Sequence, residues 1–300
     1  MGMGSLFLVI FRHIMEKINL KRSSADGSIK ILWASGDKQF ESAAFYAGSN
    51  KYSVCISTQS NCNMGCRTCA LSYFKDKEVS NLSPEELDLQ ISGMQSELEN
   101  AVINWVGYMG MGEPLMNYDN VINHMAYSHH LNGLNHQEVA VSTVGLPDKI
   151  RDLAQEKFRF GSPTLQLSVH KIHNRGDIIP IDKMFSLQQS ISAAEEYSNI
   201  TGEKVRANYI LLKDINDSKT ELDSLSRLFN PSFFDIWLAD YSPNKFTDYK
   251  GVSKKEKSNM ASTIRECSAK YYETPIDVIN FELLGRDIEA GCGQLKGKCL

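Results

Sequence analysis

The sequence lacks a long apolar run, is poor in proline and has no large excess of charge of either sign. Its longest early apolar stretch, "LFLVIF", has six residues, which is too short to span a bilayer, and no small-residue cleavage site follows it. With 42% hydrophobic content and eight prolines, 300 residues can bury one substantial core, which favours one large domain. The net charge of −4 gives no general attraction to nucleic acid, although a local basic patch is compatible with it.

The absence of an export signal predicts a cytoplasmic protein with no membrane role, in which thiols stay reduced. The seven cysteines are therefore interpreted as ligands or reactants rather than structural disulfides. The N-terminal segment predicts an amphipathic helix, because Leu6, Ile10, Ile14 and Ile18 recur at helical spacing. Packing of this helix against the domain is favoured over a membrane-surface or RNA-binding role.

The rest of the chain alternates between β-rich apolar runs and helical patterns. Six strand–helix pairs predict an α/β fold with a parallel sheet and helices outside it. The candidate site residues all follow strands, which favours a partial (β/α)6 barrel over an open sheet. The predicted strands are 52–58, 102–112, 138–143, 165–170, 204–212 and 233–239, and the predicted helices are 83–98, 119–131, 147–158, 184–199, 218–229 and 254–270.

The segment 23–48 has a different character. Its "DG" and "SGD" turns separate two or three short strands that we expect to pair antiparallel. The sequence therefore predicts a short N-terminal helix and β-extension over residues 1–50. A barrel domain over residues 51–300 follows, ending in a C-terminal tail.

Three cysteines lie close together in "CNMGCRTCA", residues 62–70, just after the first predicted barrel strand. Zinc prefers four ligands, and the next cysteine after Cys69 is Cys267, far along the chain. A three-thiolate loop suits a four-iron, four-sulfur cluster with one iron left open to another ligand. A loop of buried or zinc-binding cysteines is the alternative interpretation.

Further motifs accompany this loop, and most of them follow a predicted strand. They are "CISTQSNCNMGCRTCA" (55–70), "MGMGEPLMN" (109–117), "VSTVGLP" (141–147), "LSVH" (167–170), "LLKDINDS" (211–218) and "GRDIEAGCGQL" (285–295).

In order and content, these motifs resemble the RlmN and Cfr family, which are radical S-adenosylmethionine (SAM) enzymes that methylate adenine rings in RNA. The resemblance runs from about residue 25 to residue 295. It implies a radical SAM barrel, a 4Fe-4S cluster and two SAM molecules per turnover. It also implies that Cys62, Cys66 and Cys69 ligate the cluster.

The resemblance also places a SAM site on the strand-following motifs. A carboxylate in "GEP" suits the ammonium group of SAM, which needs a charge-assisted acceptor. The family has an asparagine in a "WNP" motif that contacts SAM, and it has no clear counterpart in this sequence. An alignment without gaps places Ser242 at that position, and Asn244 follows two residues later. The implied SAM-binding residues are Gly112, Glu113, Ser142, Ser168, Val169, His170, Ser242 and Asn244.

Two further thiols carry the chemistry that the resemblance implies. An adenine ring carbon is electrophilic and cannot take a methyl cation directly, so the family uses covalent radical catalysis. Cys292 matches the cysteine that receives a methyl group from the first SAM. Cys55 matches the thiol that attacks the Cys292 sulfur, releasing the product and leaving a transient disulfide. Glu41 matches a glutamate that accepts a proton.

The substrate is less constrained than the chemistry. The family's RNA-methylating members carry a helical domain before the β-extension, and here only some twenty residues stand in that place. The first hypothesis is methylation of adenine carbon 2 or 8 in rRNA or tRNA, with an electron donor such as flavodoxin or ferredoxin. The second is the same chemistry on a small heteroaromatic molecule, and the third is a non-catalytic iron–sulfur redox or sensor protein.

Overall fold

The computed structural model describes residues 15–74 and 78–297. Within these residues, ten strands form one sheet in chain order, with six α-helices packed against it. The strands are β1 Glu16–Arg22, β2 Ile29–Ser35, β3 Lys38–Tyr46, β4 Lys51–Ile56, β5 Val102–Tyr108, β6 Val139–Thr143, β7 Thr164–Ser168, β8 Val205–Leu211, β9 Phe234–Asp240 and β10 Val278–Phe281. The helices are α1 Pro84–Gln95, α2 Tyr118–Tyr127, α3 Pro147–Gln155, α4 Leu187–Thr201, α5 Lys219–Leu228 and α6 Lys254–Tyr271.

The predicted antiparallel β-extension is confirmed. Strands β2 and β3 pair antiparallel, and Ser35 is opposite Lys38, so two residues form the turn. Gly36 has a φ of +59° there, which a residue with a Cβ rarely adopts. Strand β3 then pairs antiparallel with β4, so the extension continues directly into the barrel sheet.

The predicted N-terminal helix is wrong for residues 16–22. These residues form β1, an edge strand paired antiparallel with β2. Helical spacing of four apolar residues is a weak signal, and backbone pairing with an exposed strand edge overrides it. Ile18 is exposed rather than packed on a helical face. Leu6, Ile10 and Ile14 lie outside the described residues.

The six predicted strand–helix pairs are confirmed. Strands β4 to β10 run parallel, and each of β4 to β9 is followed by one of the helices α1 to α6. Within the described residues, β1 and β10 stand at opposite edges of the sheet, which is therefore a partial barrel. Strand β10 was not predicted, because its four residues form too short an apolar run.

The helices start where the sequence places their caps. Ser83 caps α1 and Glu86 completes a capping box, with Pro84 at the first helical position. The helices bury apolar side chains against a core that includes strands of both the extension and the barrel. Within residues 15–74 and 78–297, no helix is both long and apolar enough to cross a bilayer.

Candidate active site

The candidate site lies at the edge of the sheet where the parallel strands β4 to β9 end. Carboxyl ends of parallel strands meet at one edge, so the loops that follow them converge. This edge gathers the thiol loop after β4, Glu113 after β5 and Ser168 at the end of β7. The tail that carries Cys292 joins them, because the Ala70 N–H donates to the Gly293 carbonyl at 2.8 Å.

The thiol loop is a compact turn after β4. The Cys69 N–H donates to the Cys66 carbonyl at 3.0 Å, and Gly65 has a φ of +69°. Burial raises the pKa of Cys62 to about 12, and the neighbouring Cys69 charge contributes to that rise. Burial, followed by the charges of Cys62 and Cys69, raises the pKa of Cys66 well above its usual value. The three sulfurs are therefore close enough to repel one another as thiolates.

This donor set fits an iron–sulfur cluster. Buried thiols that repel one another ionise only when a cation compensates their charge, and iron supplies that charge. Three thiolates also leave one iron of such a cluster open to a further ligand, whereas structural zinc prefers four protein ligands.

Glu113 presents a buried carboxylate beside the thiol loop. Its oxygens accept from the Leu115 N–H at 3.1 Å and the Val144 N–H at 3.0 Å. Burial nevertheless raises the pKa of Glu113 to about 7. Gly112 has a φ of +95°, and an added Cβ would lie 2.6 Å from the Gln59 Cβ. The glycine is required there for the chain to turn tightly against Gln59.

The predicted residues of β6 and β7 lie on the same side of the site. Ser142 and Ser168 are partly buried at the ends of these strands, and Val169 is fully buried. His170 is buried, and its Nδ1 accepts from the Ile210 N–H at 3.2 Å. Burial and then the Arg175 charge lower the pKa of His170 to about 3, so the imidazole is neutral.

The loop after β9 contacts both the thiol loop and the tail. The Asn244 side-chain amide donates to the Thr68 carbonyl at 3.2 Å. Ser242 is buried, and its hydroxyl makes no hydrogen bond within the described residues. A Cβ added to Gly291 would lie 2.5 Å from this hydroxyl, so the loop and the tail are in close contact.

The tail is held in place by polar contacts on both sides of Cys292. The Gln294 side chain accepts from the Gly291 N–H at 2.9 Å and donates to the Pro243 carbonyl at 2.7 Å. An added Cβ on Gly293 would lie 2.9 Å from the Thr68 carbonyl oxygen. The glycine therefore allows the tail to approach the thiol loop closely.

Cys55 and Cys292 form a second pair of interacting thiols. Burial, followed by the Cys292 charge, raises the pKa of Cys55 to about 12. Surrounding protein atoms, followed by the Cys69 charge, raise the pKa of Cys292 to about 11, although Cys292 as a residue is exposed to solvent. Cys292 is therefore accessible to solvent although many protein atoms surround it. The Cys292 charge thus raises the pKa of Cys55, and the Cys69 charge raises the pKa of Cys292.

Glu41 anchors the end of the tail to the β-extension. It is buried, and its Oε2 accepts from the Lys296 N–H at 2.9 Å. Its Oε1 lies 3.2 Å from the Lys30 ammonium, which also donates to the Glu289 carbonyl at 3.0 Å. Glu41 lies two residues before Ala43, which pairs with Cys55, so both site residues face the same side of the sheet.

Comparison with known proteins identifies the family. Two relatives described as probable dual-specificity RNA methyltransferase RlmN are 31% identical to this chain. The relative from Thermotoga neapolitana is matched over 97% of this chain and 81% of its own length, and that from Clostridium beijerinckii over 93% and 76%. The chain belongs to the RlmN family of radical SAM methyltransferases. No protein-family model matches it.

Solved structures agree with the RlmN-family fold. A radical SAM methyltransferase from Sphaerobacter thermophilus superposes with a TM-score of 0.85 at 23% identity, covering 97% of this chain and 85% of that one. SuiB from Streptococcus suis bound to S-adenosylmethionine gives 0.55 at 15% identity, covering 78% and 52%. The chain is an enzyme, so the hypothesis of a non-catalytic iron–sulfur protein is wrong. The RlmN family implies SAM and a 4Fe-4S cluster as cofactors.

Sequence analysis missed Arg175, a central residue of this RlmN-family site. Its guanidinium is fully buried and donates to the Val144 and Ser168 carbonyls, both at 2.6 Å. It also forms an ion pair with Asp182 at 3.1 Å. Arg175 thus ties together the ends of β6 and β7. The arginine in "HNRGD" carries no local sign of burial, since its carbonyl partners are distant in sequence.

One further cysteine of the described residues, Cys267, is buried in α6. Cys299 lies outside the described residues.

Proposed function

We propose that this enzyme methylates a ring carbon of adenine, carbon 2 or 8, in rRNA or tRNA. Methylation proceeds through a methylated Cys292 and a transient disulfide with Cys55. The observation that carries this proposal is the packing of the Cys292 tail on the thiol loop. The Ala70 N–H donates to the Gly293 carbonyl at 2.8 Å, and a Cβ added to Gly293 would lie 2.9 Å from the Thr68 carbonyl oxygen. Cys55 lies near the end of β4, the strand that leads into this loop.

In this proposal Cys62, Cys66 and Cys69 hold the 4Fe-4S cluster. The buried Glu113 carboxylate binds the SAM ammonium, and the glycine turn at Gly112 brings it into position. The partly buried Ser142 and Ser168, the fully buried Val169 and the neutral ring of His170 line the nucleoside side of the site. Ser242, whose buried hydroxyl is unpaired within the described residues, and Asn244 complete it.

The thiols act in a fixed order. When bound, SAM and the cluster supply the methyl group and the means of removing a hydrogen atom from it. Cys292 first takes the methyl group from one SAM, and its thiolate is favoured by the sulfonium charge of that SAM. After the methyl carbon radical has bonded to the ring, the adduct gives up one electron to an iron–sulfur acceptor and Glu41 takes the ring proton. The Cys55 thiolate then forms an S–S bond with Cys292 while the S–C bond breaks. That electron pair stays with the product carbon, which takes a proton to become the methyl group, and two electrons from the external donor later reduce the disulfide.

The proposed cycle uses two SAM molecules, one for Cys292 and one for hydrogen removal. It also needs an external electron donor of the flavodoxin or ferredoxin class. These partners and the RNA substrate place the enzyme in the cytoplasm.

RNA is proposed as substrate because the relatives with 31% identity are described as RNA methyltransferases. The β1 residues Lys17 and Arg22 are not a free basic patch, since both pair with Glu97 near the end of α1. Arg12, the remaining early arginine, lies outside the described residues.

An anaerobic assay with SAM labelled in its methyl group tests the substrate. Total RNA and a small-molecule extract are incubated separately with the reduced, cluster-loaded enzyme, and Cys292→Ala serves as the matched control. We expect label in RNA adenine that depends on Cys292. Label that enters only the small-molecule fraction would replace RNA with a small heteroaromatic substrate.

A further inference from the structure

Outside the active site, Asp88, His129 and His130 form a cluster of metal-ligand side chains. One ligand atom from each residue lies within 4.8 Å of the other two. The nearer Asp88 oxygen is 3.5 Å from His130 Nε2 and 4.0 Å from His129 Nδ1. Asp88 belongs to α1, and the two histidines occupy the 3-10 turn His129–Leu131 that follows α2.

Two side chains that do not belong to the cluster lie against the Asp88 carboxylate. The Ser128 hydroxyl donates to Asp88 Oδ1 at 2.5 Å, and His124 Nε2 lies 3.4 Å from the same oxygen. His124 is buried, and its Nδ1 is 2.6 Å from the Tyr108 hydroxyl. Its Nε2 makes no well-formed hydrogen bond within the described residues. Metal-ligating carboxylates are commonly held by a hydrogen bond from a neighbouring side chain, as Ser128 supplies here.

The outer side of the cluster is open to solvent. The His129 side chain is 74% exposed, whereas that of His130 is 22% exposed. The two rings lie 4.0 Å apart between centroids, so their nitrogens can face one point. Three protein ligands with an open side leave room for water as a fourth ligand.

We propose that Asp88, His129 and His130 bind a zinc ion that links α1 to the turn after α2. Two imidazoles and a carboxylate suit zinc, whereas calcium and magnesium prefer oxygen ligands alone. Ligands of tetrahedral zinc lie about 3.4 Å apart. The Asp88–His130 distance already matches, and the exposed His129 ring can close the remaining gap. The site contains no cysteine and is independent of the proposed methyl transfer.

The test measures zinc and iron together in the cluster-loaded protein. Wild type, Asp88→Asn and His129→Ala are dialysed anaerobically against a series of buffered free-zinc concentrations, and both metals are determined by mass spectrometry. His129 is largely exposed, so its substitution spares the fold. The control is His136→Ala with His173→Ala, two histidines outside the cluster.

We expect about one zinc per chain in wild type and control, with at least a tenfold weaker dissociation constant in both cluster variants. Zinc should also raise the midpoint of thermal unfolding in wild type and control but not in the variants. An unchanged iron content per chain shows that zinc has not displaced the iron–sulfur cluster. Zinc binding that is equal in all four proteins, or absent from wild type at micromolar zinc, overturns the proposal.

Discussion

Replacing Glu113 with glutamine should change both stability and SAM binding in a pH-dependent way. Burial raises the pKa of this carboxyl from 4.5 to about 7. Between these pH values the unfolded chain has lost the proton that the folded protein keeps. Stability of the wild type should therefore fall as pH rises through this window, by up to about 3 kcal/mol. Glu113→Gln cannot titrate and should lack this slope.

The same substitution should weaken SAM binding. A charge-assisted hydrogen bond contributes about 1.5–3 kcal/mol, which corresponds to a tenfold to 150-fold weaker dissociation constant. In the wild type, SAM affinity should rise as pH increases from 6 to 8, because Glu113 must be ionised to bind the ammonium. In Glu113→Gln the affinity should be weak and nearly independent of pH over that range.

Two anaerobic measurements check this reasoning. Urea unfolding of the cluster-free, reduced protein from pH 5 to pH 8 gives the stability slope, with Glu266→Gln at an exposed position of α6 as a control. Equilibrium dialysis of the cluster-loaded protein gives SAM affinity over pH 6 to 8. Wild-type affinity for SAM in Glu113→Gln, or the same pH slope in both proteins, refutes the assigned role.

Three other substitutions test the site. Cys66→Ala should remove the cluster, seen as loss of about four irons and four sulfides per chain, and retention of all four contradicts the ligand assignment. Glu41→Gln should still load methyl on Cys292 but methylate about a hundredfold more slowly, since it cannot accept a proton; loss of methyl loading instead indicates that Glu41 only anchors the tail. Arg175→Leu should lower the free energy of unfolding by about 3–5 kcal/mol, because Asp182 loses its buried partner and two carbonyls lose their donor; urea unfolding that matches wild type argues against this structural role.

The parallel part of the fold could be predicted from sequence because its signals are local. Strands such as β6 begin with a run of buried apolar residues, and helices such as α1 begin at a serine–proline cap. The error at Glu16–Arg22 arose where the pattern was weak and pairing with a neighbouring strand decided the structure. Strand β10 was not predicted for a similar reason, since four residues at the sheet edge show too little alternation of apolar and polar residues.

The site was predictable where its chemistry is concentrated in short motifs. Closely spaced cysteines, "GEP" and "AGCGQL" can each be recognised from the chain alone. Contacts between distant segments could not be recognised in this way. Arg175 joins two strand ends through backbone carbonyls, and Glu41 holds a tail some 250 residues away through backbone N–H groups. Neither kind of partner leaves a pattern in the sequence.

The histidines of the proposed zinc site show the same limit. His129 and His130 are adjacent in sequence, but their partner Asp88 lies on a different helix. No ligand spacing in the sequence links these two histidines to a carboxylate.

Intact-protein mass spectrometry of Cys55→Ala and Cys292→Ala tests the central claim most directly. Each cluster-loaded variant is reduced, incubated anaerobically with SAM and RNA, and digested with nuclease before its mass is measured. Cys55→Ala should carry a methylene-linked adenine nucleotide on Cys292, because no thiol resolves the adduct. Cys292→Ala should carry neither methyl nor nucleotide while keeping its iron. Normal turnover by Cys55→Ala, or a methyl group found on a residue other than Cys292, would contradict the account.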